Sequence, residues 1–188
     1  MRFGIEDRAL AWFRSYLSNR TQSFCIATGT STHVILPCSV PQGSVIGPQK
    51  FTAYTDDIVD IIEQFFINHH FYADDSQLQT NVRVEAAQPA LMNLGRCVAA
   101  VKAWCSSRRL QLNADKTELI WFGSRANLKR LSHVDTRLKL ESNTIMPSVI
   151  VRDLGVYLNN ELNIRAHIGK ESSICFYTCV VCVNCAAS

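Results

Sequence analysis

Two adjacent carboxylates, Asp74 and Asp75, stand inside the apolar, strand-like run FYADDSQLQ at residues 71–79. Neighbouring side chains of a strand face opposite ways, so two adjacent acids converge on one point only at a bend. A hairpin with the acids at its turn would supply that bend, and carboxylate oxygens are ligands that Mg²⁺ prefers. From these residues alone, a divalent-metal site and an acidic turn on a solvated surface both remain open.

Hydrophobic spacing predicts the elements that would hold this pair. Apolar residues recur every three or four positions in three stretches, which predicts amphipathic helices over about 5–18, 51–65 and 90–109. β-branched and aromatic runs between turn residues predict strands. These are a hairpin joined through the GTS segment at 29–31, the hairpin around the acids, a strand after Lys116, and short runs in 134–158. The order of elements predicts an α+β fold.

Length and composition limit the protein class. The 188 residues suffice for one domain with a core or for part of a larger domain, and 47% hydrophobic against 19% charged residues argues against a disordered chain. The N-terminal segment lacks the apolar stretch and small-residue cleavage site of a secretory signal, and no apolar run approaches the roughly 18 residues of a membrane span. We therefore expect an intracellular protein, in the nucleus or cytoplasm, with reduced thiols and no membrane partner.

Positive charge concentrates in residues 101–140, which hold nine Lys/Arg against three Asp/Glu. Such an excess could follow a nucleic-acid backbone, because Lys/Arg contacts with phosphates release counterions. The alternative is a solvated surface, and without a motif beside it the charge excess favours that alternative.

Four cysteines crowd the C-terminal segment: Cys175, Cys179, Cys182 and Cys185. Short Cys spacings occur in tetrahedral zinc sites. Structural zinc sites usually take their ligand pairs from two separated loops, however, and this run has neither an intervening loop nor a His. We therefore favour an abnormal or frayed tail over a zinc site.

Four segments in order carry a resemblance to a known family. They are SVPQGSVIGPQKF at 39–51, FYADD at 71–75, LQLNADKTELIWFGS at 110–124 and VRDLGVYLNNELN at 151–163. Together they resemble the palm region of the reverse transcriptase domain of non-LTR (LINE-type) retrotransposons, collinearly over about residues 3–170. The resemblance implies a partial reverse transcriptase domain at 1–170, with palm and the start of the thumb, followed by an aberrant Cys-rich tail at 171–188. The implied fold is a partial polymerase palm, with antiparallel β-hairpins packed against helices.

The resemblance also implies the chemistry. RNA-directed DNA synthesis joins a primer 3′-hydroxyl to the α-phosphate of a dNTP, and two Mg²⁺ (or Mn²⁺) ions stabilise the attacking and leaving oxygens. The implied partners are an RNA template, a DNA primer and dNTP, and no specific protein partner is evident. In the family the first acid of the pair is a metal ligand and the second supports the site, roles that fall on Asp74 and Asp75.

Further site residues follow from the same resemblance. Those that would lie against the template, the nucleotide or the primer terminus are Pro41, Gln42, Gly43, Tyr72 and Ala73. Lys116 would neutralise or protonate the departing pyrophosphate. The residues that would grip the primer strand are Leu154, Gly155 and Val156.

The sequence also departs from the family pattern. The family's first metal-binding aspartate precedes the segment that corresponds to Phe3 onward, so we expect the first catalytic strand, the fingers and most of the thumb to be missing. Two Mg²⁺ ions carry four positive charges, whereas Asp74 and Asp75 offer at most two negative ones, so we expect weak metal binding and no polymerase activity from this chain alone. Gln49 and Lys50 also replace an apolar pair.

Two alternatives remain beside the reverse transcriptase fragment. One is a non-catalytic nucleic-acid-binding remnant that uses the basic residues of 101–140. The other is a chain that forms no stable protein, since loss of a central strand would expose sheet edges.

Overall fold

The computed structural model describes residues 3–37, 44–113, 116–140 and 143–186, with side chains described as far as residue 175. The chain forms two compact units, Met1–Ala53 and Tyr54–Ser188. Helices mix with small, mostly antiparallel sheets, which is the α+β class that the sequence predicts. Pro41, Gln42 and Gly43 lie outside the described residues.

The described residues of the first unit form an amphipathic helix, two short strand pairs and most of a second helix. Helix α1 spans Asp7–Leu17 and ends where Ser18 turns extended and donates its hydroxyl to the Arg14 carbonyl at 2.7 Å. Strands β1 (Thr21–Gln22) and β4 (Val34–Ile35) pair antiparallel, and β2 (Cys25–Ile26) pairs with β3 (Gly29–Thr30). Helix α2 spans Gly47–Thr55 and carries Lys50.

The predicted connection through 29–31 was wrong. Ile26 pairs with Gly29, so the turn lies at residues 27–28, and Ala27 adopts a φ of 45°. Ser31 continues the pairing instead of turning the chain, because its amide donates to the Phe24 carbonyl at 2.8 Å while its hydroxyl accepts from the Phe24 amide at 2.9 Å.

Lys50, which replaces an apolar residue of the family pattern, contacts aromatic rings. Its ammonium nitrogen lies 3.1 Å from the centroid of the Tyr16 ring and 5.5 Å from that of Phe13. The rings of α1 thus provide the cation with a favourable electrostatic contact where the sequence resemblance would place an apolar side chain.

The single helix predicted over 51–65 was also wrong, because the segment forms two helices. Helix α2 ends at Thr55, and helix α3 spans Ile58–Glu63. Asp57 stands at the start of α3 and forms an ion pair with Arg108, while the Tyr54 hydroxyl donates to the Arg108 carbonyl at 2.7 Å. These contacts hold the chain at the break between the two helices. Aspartate is a weak helix former, because its side chain can bond to nearby backbone groups in non-helical conformations.

Helix α4, Ala87–Ser107, is the centre of the second unit and follows a 3₁₀ turn at Val84–Ala86. Its predicted span was about 90–109. One flank joins a buried cluster with Ile58, Ile62 and Ile67. Another flank joins a cluster formed by Leu91, Leu119 and Leu138.

The remaining elements of the second unit surround α4. Two hairpins follow the predicted pattern: β5 (Asn68–Tyr72) with β6 (Asp75–Gln79), and β11 (Ile150–Asp153) with β12 (Val156–Asn159). Two smaller pairs are β7 (Leu119–Ile120), parallel to β10 (Pro147–Ser148), and β8 (Leu138–Lys139), antiparallel to β9 (Thr144–Ile145). Helix α5 spans Arg125–Leu131.

Helix α6 spans Arg165–Ala186. The division at residue 170 and the aberrant character of the tail at 171–188 stay predictions.

None of the helices in the described ranges combines the length and apolar character needed to cross a membrane. Residence in the nucleus or cytoplasm stays a prediction.

Candidate functional site

The two acids lie at the turn of the β5–β6 hairpin, as the sequence predicts. Tyr72 pairs with Asp75, which leaves Ala73 and Asp74 as the two turn residues. Ala73 has a φ of 54°, whereas Asp74 is not among the residues of positive φ, and this sign pattern is that of a type II′ turn. Residues 72–75 are all exposed, so a solvated ion can reach both carboxylates.

The hydrophobic core anchors the hairpin through one of its faces. Phe71 and Leu78 are half-buried and pack against the cluster around Ile62 and Cys97. Strand alternation places the neighbouring positions on the opposite face, where Tyr72 and Asp75 form a cross-strand pair and Gln77 follows two residues later. The core thus fixes the strands while the acid-bearing turn projects into solvent.

A second hairpin stands beside the first. Its turn residues, Leu154 and Gly155, have φ values of 45° and 88°, as a type I′ turn requires at both positions. Apart from Gly155 and its two chain neighbours, no atom of the described residues lies within 4 Å of where a Cβ on Gly155 would stand, so a ligand can approach the backbone there. Val156 follows at the start of β12 and is 39% exposed.

One side-chain contact joins the two hairpins. The Gln77 side-chain amide donates to both carboxylate oxygens of Asp153, at 2.8 and 2.9 Å, and the contact is partly buried. Asp153 is the last residue of β11, immediately before the Leu154–Gly155 turn. No local sequence signal indicates this pair, because its members are 76 residues apart.

Lys116 is exposed, and its backbone amide lies 3.3 Å from both the carbonyl and the side-chain oxygen of Asn113. No hydrogen bond or ion pair among the described residues joins it to the acid-bearing hairpin. Its predicted role near a triphosphate stays a prediction.

The acid pair suits a divalent metal ion only in part. Carboxylate oxygens are the hard ligands that Mg²⁺ and Mn²⁺ take, with water completing the coordination. Within the described ranges, however, no group of three or more His, Cys, Asp or Glu side chains is placed to hold a metal ion. Asp74 and Asp75 can therefore contribute to a metal site but do not form a complete one.

A basic groove that sequence reasoning missed lies between the β11–β12 hairpin and α6. It is a shallow, open depression of about 670 Å³, lined by Arg165 and Lys170 together with Tyr157, Ser173 and apolar side chains that include Ile150 and Ile174. The Lys170 ammonium nitrogen lies 3.7 Å from the centroid of the Tyr157 ring, and the Arg152 guanidinium carbon lies 5.6 Å from it. The sequence carried a signal, because Arg165, His167 and Lys170 stand close together in the chain. Their position beside Arg152 depends on the tertiary structure and could not be predicted from the sequence.

The positive charge of 101–140 is largely compensated. Among the described residues, five of its nine cations form ion pairs with acids: Arg108, Arg125, Arg130, Arg137 and Lys139. Hydrogen bonds from Arg137, and then from Lys139, hold the pKa of Asp135 well below its ordinary value. This pairing favours a solvated, self-neutralising surface over a phosphate-binding track.

Comparison with known proteins agrees with the resemblance. A family model described as reverse transcriptase (RNA-dependent DNA polymerase) matches residues 1–158. The probable RNA-directed DNA polymerase from transposon BS of Drosophila melanogaster is 27% identical over 173 residues, which cover 87% of this chain and 18% of that protein. The RNA-directed DNA polymerase from the mobile element jockey, of the same organism, is 24% identical over 160 residues, which cover 82% of this chain and 17% of that protein.

The chain thus spans less than a fifth of the length of these curated relatives. No solved structure matches it significantly.

Proposed function

The chain belongs to the reverse transcriptase (RNA-dependent DNA polymerase) family, and from this premise we propose that its β5–β6 hairpin is the metal-binding turn of an RNA-directed DNA polymerase palm. The predicted LINE-type reverse transcriptase domain is confirmed by the family match and by the transposon relatives. One observation carries the proposal for the site. Asp74 lies in an exposed two-residue turn and Asp75 directly follows it, on strands that are anchored in the core.

Each element would have a separate role in nucleotidyl transfer. A bound Mg²⁺ or Mn²⁺ would supply positive charge at the attacking and leaving oxygens. Asp74 would ligate it, and Asp75 would support the site from the first position of β6. Tyr72, which is 63% exposed and pairs across the hairpin with Asp75, would pack against the primer terminus with Ala73.

The second hairpin and the basic groove would hold the primer–template. Leu154, Gly155 and Val156 present an exposed turn whose backbone a strand can approach closely. Behind it, Arg152 and Lys170 place cations against Tyr157, where phosphate oxygens would find charge-assisted donors. Pro41, Gln42, Gly43 and Lys116 keep the nucleotide, template and pyrophosphate roles that the family resemblance implies.

We further propose that this chain alone does not extend a primer. Two carboxylates offset at most half of the charge of two divalent ions. The described residues bring no third ligand to the acid pair. A site of this composition should bind Mn²⁺ weakly, with a Kd on the order of 1 mM, about −4 kcal/mol.

Manganese titration followed by electron paramagnetic resonance, combined with primer extension on a poly-rA template, tests both parts. We expect weak Mn²⁺ binding that Asp74→Asn abolishes and that the exposed-acid control Glu63→Gln leaves unchanged, without primer extension by any variant. Mn²⁺ binding insensitive to Asp74→Asn would refute the metal role. Robust extension that Asp74→Asn abolishes would instead refute the proposed inactivity.

A second candidate function is nucleic-acid binding without catalysis, and the basic groove beside α6 favours it. If the groove contacts phosphates, filter binding to primer–template should weaken with salt, and Lys170→Ala should reduce the slope of log K against log salt by about 1. Lys129→Ala, on the compensated surface of 101–140, should leave that slope unchanged. No measurable affinity at low salt, or equal effects of the two variants, would exclude the groove.

A further inference from the structure

The contact between Gln77 and Asp153 couples the two hairpins that the proposed function assigns to metal and primer. We propose that this pair is a positioning clasp, which sets the Leu154–Gly155 turn at a fixed distance from the Asp74 carboxylate. The inference rests on the proposed function for its meaning, although the clasp itself is a property of these two residues. Neither residue belongs to the site residues that the family resemblance implies.

Strand register places both members of the clasp close to the turns they would position. Gln77 shares the exposed face of β6 with Asp75 and lies two residues along the strand, about 7 Å away. Asp153 is directly followed by Leu154 at the other turn. A bond between them therefore acts within three residues of each turn, close enough to restrict the position of one turn relative to the other.

The chemistry of the pair suits a fixed distance. One amide nitrogen approaches both oxygens of a carboxylate, and hydrogen bonds to an ionised acceptor are shorter and stronger than neutral ones. The contact is partly buried, which reduces competition from water. Its geometry also occupies both Asp153 oxygens, so this acid is held by Gln77.

The β11–β12 hairpin is held on its other face by α6. Arg152 pairs across the hairpin with Tyr157, whose ring lies in the basic groove under Lys170. Asp153 is the next residue, so its side chain leaves the opposite face of the strand. The hairpin is thus fixed between the groove on one side and the clasp on the other, and the clasp transmits the position of the groove to the acid-bearing turn.

Nuclear magnetic resonance of the full chain, ¹⁵N-labelled and titrated with Mn²⁺, tests the positioning role. Ion bound at Asp74 should broaden the Gly155 amide signal. We expect Gln77→Ala to reduce that broadening at least twofold without changing the Mn²⁺ affinity. Asp153→Asn should keep most of it, because an amide oxygen still accepts from Gln77. Asn68→Ala, at the far end of the same hairpin, should have no effect. Unchanged or stronger broadening at Gly155 in Gln77→Ala would overturn the proposal.

A metal-independent measurement separates failure of the clasp from failure of the proposed function. Urea unfolding of Gln77→Ala, Asp153→Ala and the double variant should give a coupling of about fivefold in the unfolding equilibrium constant. If Mn²⁺ broadening does not depend on Asp74, the metal assignment fails. The comparison of the single and double variants by urea unfolding then decides alone whether the clasp exists. Additive effects of the two substitutions would overturn the clasp whatever the metal does.

Discussion

Substitution of Ala73 by glycine should stabilise the protein, although glycine usually destabilises folded chains. Ala73 has a φ of 54°, a conformation that costs a residue with a Cβ about 1–2 kcal/mol. Glycine removes that cost but adds about 0.5–1 kcal/mol of chain entropy to the unfolded state. At the midpoints of the two ranges, the difference predicts that Ala73→Gly raises the free energy of unfolding by about 0.75 kcal/mol.

Urea unfolding followed by circular dichroism measures this change directly. The matched control is Ala103→Gly, at an exposed position inside α4, where the backbone is helical and glycine should lower the free energy of unfolding by about 1 kcal/mol. The two substitutions make the same chemical change, so the reasoning requires opposite signs. A loss of stability at Ala73 equal to that at Ala103 would show that the turn carries no backbone strain.

Two other predictions concern the hydrophobic core and the loss of stability at acid pH. Ile62 is 1% exposed, so Ile62→Ala should lower the free energy of unfolding by about 3 kcal/mol, whereas Ile168→Ala, at a 53% exposed position, should change it by less than about 0.5 kcal/mol in the same urea titration. Equal losses would contradict the assigned core. Because Arg137 and Lys139 lower the folded-state pKa of Asp135, its stabilising contribution should be complete above its ordinary value of 3.8 and disappear as the pH falls through the lower folded value. Unfolding titrations between pH 6 and pH 2 should therefore be less acid-sensitive for Asp135→Asn, and an identical pH dependence would refute the pairing.

Local patterns predicted the elements whose cause is local. Strong periodicity and Pro89 near its start predicted α4, and two adjacent acids between strand-like runs predicted the hairpin turn at Asp74. The break before α3 was not predictable in this way. The ion pair that holds Asp57 there comes from Arg108, 51 residues later in the chain.

The same distinction between local and tertiary causes applies to the candidate site. The acid turn was found from adjacent residue types, and its exposed geometry follows from a two-residue hairpin. The basic groove and the clasp were missed because each combines separate elements: Tyr157 with Lys170, and Gln77 with Asp153. Charge counting over 101–140 could not show that three of its nine cations meet acids from outside that stretch, because those ion pairs are tertiary.

Leu94 packs against both hydrophobic clusters of the second unit. One cluster anchors the acid-bearing hairpin, and the other anchors the strands at Leu119 and Leu138. Because a single side chain on α4 is common to both, loosening either cluster removes packing from the other, and the two halves lose structure cooperatively. Amide hydrogens of α4 around Leu94 should consequently exchange with solvent last, so the acid-bearing hairpin depends for its persistence on a helix that contributes no residue to the proposed site.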